Sequence, residues 1–423
     1  MLYCAIGSKD SVITPQEVKE ALFGVFEKLG PRKRVMAIPP DYTRLNSFAG
    51  PITAMVDEYY DARLTDILPA LGTHSPMTPE QIIDMFPGVP QDKFRVHDWR
   101  GGVVSIGEVP ASYIEKVSEG KLHYGMQVQV NRLLLDPGFD AIFSIGQVVP
   151  HEVIGMANYT KNIFVGTGGS DFINKSHFIG SVYGMERIMG RAKSPVRDVF
   201  EYARTHFASD IPIIYILTVC AKQDGKMVTR GLFVGDDFEC FRKAAELSLE
   251  TNFIMVEKPI RKCLVWLDPA EFKSTWLGNK AVYRTRMALA DGAQLIIMAP
   301  ALREFGEDKT IDSLIRKYGY KGTPHTLAAT EANAELRENL GASAHLIHGS
   351  SEGRFEIIYA PGPEMSREEI ESVGYGYADL AALEEKYRPE SLKDGWNTVD
   401  GEEIYYISNP ALGLWAHRDR FKD

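Results

Sequence analysis

Along this chain, short unbroken apolar runs alternate with longer stretches whose apolar positions recur every three or four residues. The runs in the first half are Arg34-Val35-Met36-Ala37-Ile38-Pro39, Asp140-Ala141-Ile142-Phe143-Ser144-Ile145-Gly146 and Ile211-Pro212-Ile213-Ile214-Tyr215-Ile216-Leu217. Such runs read as strands buried on both faces, the pattern of a parallel sheet. Residues 52–71 carry helical spacing and close on the turn Gly72-Thr73-His74. Thr78-Pro79-Glu80-Gln81 has the form of a helix start, with Thr78 as N-cap, proline at the first helical position and Gln81 at the third. Near residue 258 the pattern restarts. Lys262 to Leu267 predicts a strand, Asn279 to Asp291 a helix, Gln294 to Pro300 a second strand and Phe355 to Ala360 a further one. The expectation is an α/β fold of two α/β domains with mainly parallel sheets. The first spans 1–258 and the second 259–397, with the tail 398–423 returning to pack on the first.

Composition removes several classes of function. Hydrophobic residues make up 44% of the 423 positions and charged residues 25%, so a full core is available. The net charge is −10 and no basic run is present, which argues against nucleic acid as a partner. Cys4, Cys220, Cys240 and Cys263 are scattered without a CxxC pair and read as reduced thiols. The N-terminus lacks the basic and apolar segments of a signal peptide, and no stretch reaches the roughly 18 apolar residues of a membrane span. The expected compartment is the cytoplasm.

The candidate chemistry lies in loops that follow the predicted strands, where open α/β sheets place ligands. Asp41-Tyr42-Thr43-Arg44 follows the first strand, and an arginine there can hold a carboxylate in a two-pronged grip. His74 closes a turn, and His151 follows Pro150 just beyond a strand. Lys161 lies ten residues after His151, and His177 sixteen residues after Lys161. A lysine in a small glycine-bearing loop can bind phosphate or carry a covalent group. Gly166, Gly168 and Gly169 suggest close approach of backbone to a ligand. Each residue alone also fits a bland reading, as a solvated lysine, a structural histidine or a loop salt bridge. Zinc-ligand spacing, a P-loop and a dinucleotide fingerprint are all missing from the sequence.

Taken together, these residues resemble the nickel-dependent lactate racemase family. The matching pieces are Asp41-x-Thr43-Arg44, Gly72-Thr73-His74-x-Pro76-Met77-Thr78, Pro150-His151 with Lys161 ten residues on, and His177. The resemblance implies two α/β domains with an active-site cleft between them. It also implies a nickel pincer nucleotide (pyridinium-3-thioamide-5-thiocarboxylic acid mononucleotide) joined to Lys161 through a thioamide. In that reading His177 completes nickel coordination, His74 and His151 form the acid–base pair, and Arg44 holds the substrate carboxylate. Asp41, Thr43, Gly155, Asn158, Tyr283 and Arg284 fall at cofactor-binding positions. The implied activity is that of a racemase or epimerase. It inverts C2 of a small-molecule 2-hydroxy acid by hydride transfer to the tethered cofactor and back, with neutral imidazoles moving the hydroxyl proton. No nucleic-acid or membrane partner is implied, and a homodimer is compatible with the reading.

Two departures from the family pattern stand out. Ala157-Asn158-Tyr159 occupies the place of the usual Ser-Gly-Gly, so Tyr159 would crowd a cofactor unless its ring turns away. Tyr283-Arg284-Thr285-Arg286-Met287 replaces the usual Tyr-Gln-x-x-Lys, so Arg284 or Arg286 would have to supply the positive charge. The first change motivates an alternative, a metal-dependent lyase or dehydratase of sugar acids. The second motivates a non-catalytic hydroxy-acid-binding homologue.

Overall fold

Strand-forming runs in the first half assemble side by side because each is apolar on both faces. The computed structural model describes residues 1–223 and 226–421. The chain divides into two compact units, Met1–Ile179 with Ile188–Asn252, and Gly180–Arg187 with Phe253–Asp423.

The first unit holds a six-stranded sheet. Its strands are β1 (Leu2–Gly7), β2 (Val35–Ile38), β3 (Leu64–Ile67), β4 (Ala141–Gln147), β5 (Ile213–Gln223) and β6 (Lys226–Gly235), in the spatial order β1-β6-β5-β4-β2-β3. Pairing from β3 through β2 and β4 to β5 is parallel, whereas β5-β6 and β6-β1 are antiparallel. All of β2 is buried, and in β4 only Gln147 is partly exposed, as the uninterrupted apolar runs required. The helices Pro15–Leu29 and Ala49–Tyr60 bury Leu22, Phe26, Ile52 and Val56 against one face. Each such side chain contributes roughly 1.5–3 kcal/mol. The helix start at Thr78 forms as expected, with reciprocal capping by Thr78 and Gln81.

Residues 52–71 are not one helix. The helix ends at Tyr60, Asp61 takes a left-handed φ of 51°, and β3 follows, paired in parallel with β2. Tertiary pairing overrides the local spacing here. Because β2, β3 and β4 run parallel, their exit loops, including 39–41, 68–74 and 148–161, open on the same edge of the sheet.

In the second unit the strands are β7 (Ile260–Trp266), β8 (Leu289–Ala299), β9 (Glu356–Pro361), β10 (Gly376–Tyr377), β11 (Gly395–Val399) and β12 (Glu402–Ile407). They form a second six-stranded sheet in the order β10-β9-β8-β7-β12-β11. All pairs but β11-β12 are parallel, as the strand–helix–strand reading predicts. The helical stretch read from 279 to 291 is shorter than expected. It ends at Thr285, and Leu289 already belongs to β8.

The expected return of residues 398–423 to the first domain is corrected. β12 is an interior strand of the second sheet, with Cys263, Leu264 and Val265 opposite Tyr405, Tyr406 and Ile407. Leu414–His417 pairs in parallel with Phe253–Val256 of the same unit. Backbone pairing and burial of Ile404, Tyr406 and Ile407 hold the tail there. The first unit correspondingly closes at Asn252 rather than 258.

Candidate active site

The exit loops of β2, β3 and β4 are laced together by hydrogen bonds. Asn162 donates from Nδ2 to the Ile38 carbonyl (3.1 Å) and to Ser144 Oγ (3.0 Å), joining the Lys161 segment to two strand ends. The Gly72 amide donates to the Gly166 carbonyl at 2.9 Å. These ties bring the sequence-predicted residues of the first unit toward one another.

Asp41 caps the short turn Tyr42–Ser47. One carboxylate oxygen accepts from the Thr43 amide (3.2 Å) and hydroxyl (2.5 Å), and the other lies 2.6 Å from His74 Nδ1. Burial opposes ionisation of Asp41, but the bonds from His74 and Thr43 and the charge of Arg44 outweigh it and hold the carboxyl below its usual range. Asp41 accepts at Nδ1, so neutral His74 carries its proton there and turns a bare Nε2 outward from a half-exposed ring.

His151 has the opposite arrangement. Its Nδ1 accepts the Val153 amide at 3.1 Å, which places the proton of the neutral ring on Nε2. Burial pushes its pKa well below the usual value. Glu152 opposes this, and the positive charges of Lys161, His177 and Arg44 reinforce it.

His177 lies on the helix Ser170–Tyr183 and donates from Nδ1 to the Ile173 carbonyl at 2.6 Å, leaving Nε2 with a lone pair. Burial, then the charge of Lys161, push it down to about 4, against the raising effects of the Ile173 bond and Glu152. The amine of Lys161 is pushed down to about 8, first by burial, then by the charges of Arg44 and Arg197, with Glu152 and Asp41 opposing. A lysine so placed keeps a sizeable uncharged, nucleophilic fraction near neutral pH.

The mutual influence of Arg44, His151, Lys161 and His177 describes one electrostatic cluster, and Asp41 links it to His74. Glu152, which the sequence reading did not single out, acts on all three of His151, Lys161 and His177. Its position beside His151 was the available signal.

Around Lys161 the backbone is unusual. Asn158 and Tyr159 both adopt left-handed conformations, with φ of 70° and 60°. This is a backbone path that glycine would follow without strain. The Tyr159 ring turns inward. It stacks on Phe241 at 5.1 Å and 14° and lies 4.3 Å from the ring of Tyr215.

The neighbouring glycines are required by protein packing. At Gly155, with φ of +90°, a Cβ would fall 2.1 Å from the Arg191 carbonyl oxygen. At Gly166 it would meet Ala70, at Gly168 the Phe164 carbonyl, and at Gly169 the side chain of Gln129.

Tyr283 and Arg284 belong to the second unit. Tyr283 is buried, edge-on to His348 at 6.3 Å. Arg284 donates to the carbonyls of Ala411 (2.9 Å) and Gly413 (3.3 Å). Arg286 is buried against Glu186 at 3.0 Å, and Met287 lies in the core. The guanidinium groups proposed as substitute charges are therefore bound to this unit's own carbonyls and carboxylate.

Among the described residues no group of three or more His, Cys, Asp or Glu could hold a metal, and no helix is long and apolar enough to cross a membrane.

Fold and site together define an α/β protein of two six-stranded sheets with a histidine–lysine cluster at the strand exits of the first. Residues 24–188 match the lactate racemase N-terminal domain. Two solved structures share the fold. One is a protein from Thermotoga maritima, 23% identical with a TM-score of 0.78, covering 96% of this chain and 98% of that one. The other is the lactate racemase apoprotein from Thermoanaerobacterium thermosaccharolyticum, 16% identical with a TM-score of 0.73, covering 96% of this chain and 93% of that one. No curated protein sequence matches.

Proposed function

We propose that this protein is a cytoplasmic racemase or epimerase that inverts C2 of a 2-hydroxy acid, with a nickel pincer nucleotide tethered at Lys161. The observation that carries the reading is the complementary state of the two histidines beside a depressed lysine. His74 offers a bare Nε2 and His151 an Nε2–H.

The residues fit the cofactor. The uncharged fraction of Lys161 suits covalent attachment, and the bare Nε2 of His177 suits nickel. The chemistry a bound nickel pincer nucleotide supplies is a reversible acceptor for the C2 hydrogen and its electron pair. Arg44 binds the substrate carboxylate. His74 Nε2 takes the hydroxyl proton of one enantiomer, and the Asp41 carboxylate stabilises the imidazolium that results. When the planar 2-keto acid presents its oxygen to the other side, His151 donates to that oxygen from Nε2 as an imidazolium that has first taken a second proton from solvent, and so returns to the neutral ring. The proton taken by His74 passes to solvent, which balances the protons over the cycle. Burial favours the neutral ring, so His151 is charged only while it acts as the acid.

Protein co-produced with the cofactor-making enzymes is expected to carry a covalent adduct on Lys161. It is also expected to racemise at least one of lactate, malate, 2-hydroxyglutarate, an aromatic hydroxy acid or an aldonic acid, without taking up solvent deuterium at C2. An unmodified Lys161, or loss of water with deuterium uptake, would remove the proposal. The second outcome favours a lyase instead.

A further inference from the structure

Two consecutive non-glycine residues in the left-handed region are an unstable way to build a loop. Asparagine tolerates this region, but a bulky aromatic is a genuine outlier there. Such strain persists only where the surroundings over-determine it. At Asn158 and Tyr159 the surroundings converge on one side chain, Arg197.

Arg197 lies near the start of the helix Pro195–Phe207 and is 1% exposed. Its guanidinium donates to the Met156 carbonyl (2.7 Å), the Asn158 carbonyl (3.2 Å) and Thr160 Oγ1 (2.9 Å). Thr160 Oγ1 donates onward to Glu201 at 2.9 Å, one helical turn from Arg197. The Asn158 carbonyl also accepts the backbone amide of Lys161 at 3.3 Å, so Arg197 and Lys161 share an acceptor. The guanidinium lies 4.3 Å over the ring of Phe241, on which Tyr159 is stacked. The cap of the same helix, Ser194, donates to the Ile154 carbonyl at 3.1 Å. Burying a cation is expensive, and burial pushes Arg197 down to about 10. An apolar residue of similar volume would fill the space at lower cost but could not reach three acceptors on one loop.

We infer that Arg197 is a positioning residue for Lys161. It fixes the 156–160 backbone so that the amine is presented to the histidine cluster without the glycine pair. The inference rests on the reading of Lys161 as the tether, but its test needs no cofactor.

The full chain, prepared without cofactor, is treated with formaldehyde and cyanoborohydride across a pH series. Methylation at Lys161 is read by peptide mass spectrometry, with Lys33 and Lys317 as exposed references. Hydrogen exchange of peptides spanning 156–162 is read in parallel. Wild-type Lys161 is expected to reach half-maximal rate near pH 8. In Arg197→Met the midpoint is expected to rise by about one unit or more, towards ordinary lysine. Exchange across 156–162 should speed by at least about tenfold, with the reference lysines unmoved. Arg197→Lys keeps the charge without the fork and should recover only part of both effects. If Arg197→Met does not fold, Thr160→Val, which removes one acceptor, carries the test with a smaller shift of the same sign. Folded variants with wild-type midpoint and exchange would overturn the inference, as would a wild-type midpoint at the ordinary lysine value. Normal clamping of Lys161 together with no adduct and no turnover would instead remove the proposed function and leave the positioning role standing.

Discussion

Residues 150–177 of the first unit and 280–287 of the second are both rich in side chains able to bind a ligand, yet the fold treats them oppositely. In the first, His151 and His177 each commit Nδ1 to the protein, as His74 does beside them, which leaves Nε2 for chemistry. In the second, Nη1 of Arg284 serves the Ala411 and Gly413 carbonyls, and Arg286 serves Glu186 and the Ser350 carbonyl. The difference teaches that residue type marks a site only weakly. What matters is which polar atoms remain once the backbone has been satisfied.

The sharpest way to break this comparison is at Lys161. Lys161→Met is expected to abolish racemisation in cofactor-loaded preparations, by more than about a thousandfold. It should at the same time stabilise the fold near neutral pH. The native pKa is lowered to about 8, so between there and the unfolded value near 10.5 the unfolded chain binds more protons. Wild-type stability therefore rises with pH across that window. The advantage of the methionine variant, on the order of 1–3 kcal/mol at pH 7, should shrink by pH 10. Denaturant midpoints at the two pH values check this. A variant less stable than wild type at pH 7 would show that the amine is not held at a cost.

The next largest effect is expected at Gly155, where close packing demands glycine. Gly155→Ala forces a Cβ onto the Arg191 carbonyl at positive φ, and should destabilise by about 3 kcal/mol or more. Chemical denaturation reads it, and loss of cofactor loading at unchanged stability would overturn the packing account. In the second unit, Arg284→Met should lower stability by about 1–2 kcal/mol through two unmet carbonyls. KM for the hydroxy acid should stay within about twofold. A large rise in KM would return Arg284 to the ligand and break the contrast.

Much of this was legible because parallel strands are apolar on both faces. The runs at 35–38, 141–146 and 213–217 announced themselves, and with them the loops carrying Asp41 and His151. The run 64–67 did not, because its apolar positions continue the helical spacing of 52–60 and only the backbone reversal at Asp61 separates them. Strand β12 was hidden for a different reason. It enters the second sheet beside β7, far away in sequence, and no local pattern records a partner that distant. Arg197 left no trace either, since a buried guanidinium reads as a surface arginine until the loop it holds is seen. The histidines were found through spacing, but which nitrogen each leaves open depends on Asp41, Val153 and Ile173, and is a property of the folded chain.

The smallest expected effect bears on how two left-handed residues are tolerated beside the reactive lysine. Asn158→Gly restores glycine where φ is 70° and removes a side chain whose Oδ1 accepts the Tyr159 amide at 2.7 Å. Glycine relieves the backbone but gains entropy when unfolded and forfeits that bond, so the terms nearly cancel. The expected change lies within about 1 kcal/mol of wild type. Tyr159→Gly relieves a worse conformation but empties a stack against Phe241 and Tyr215, so it should cost about 2–4 kcal/mol net. Thermal or denaturant melting of the two variants side by side measures the asymmetry. If Tyr159→Gly proved the more stable of the pair, the aromatic stack would not be what holds the loop, and the strain would have to be borne by the Arg197 bonds alone.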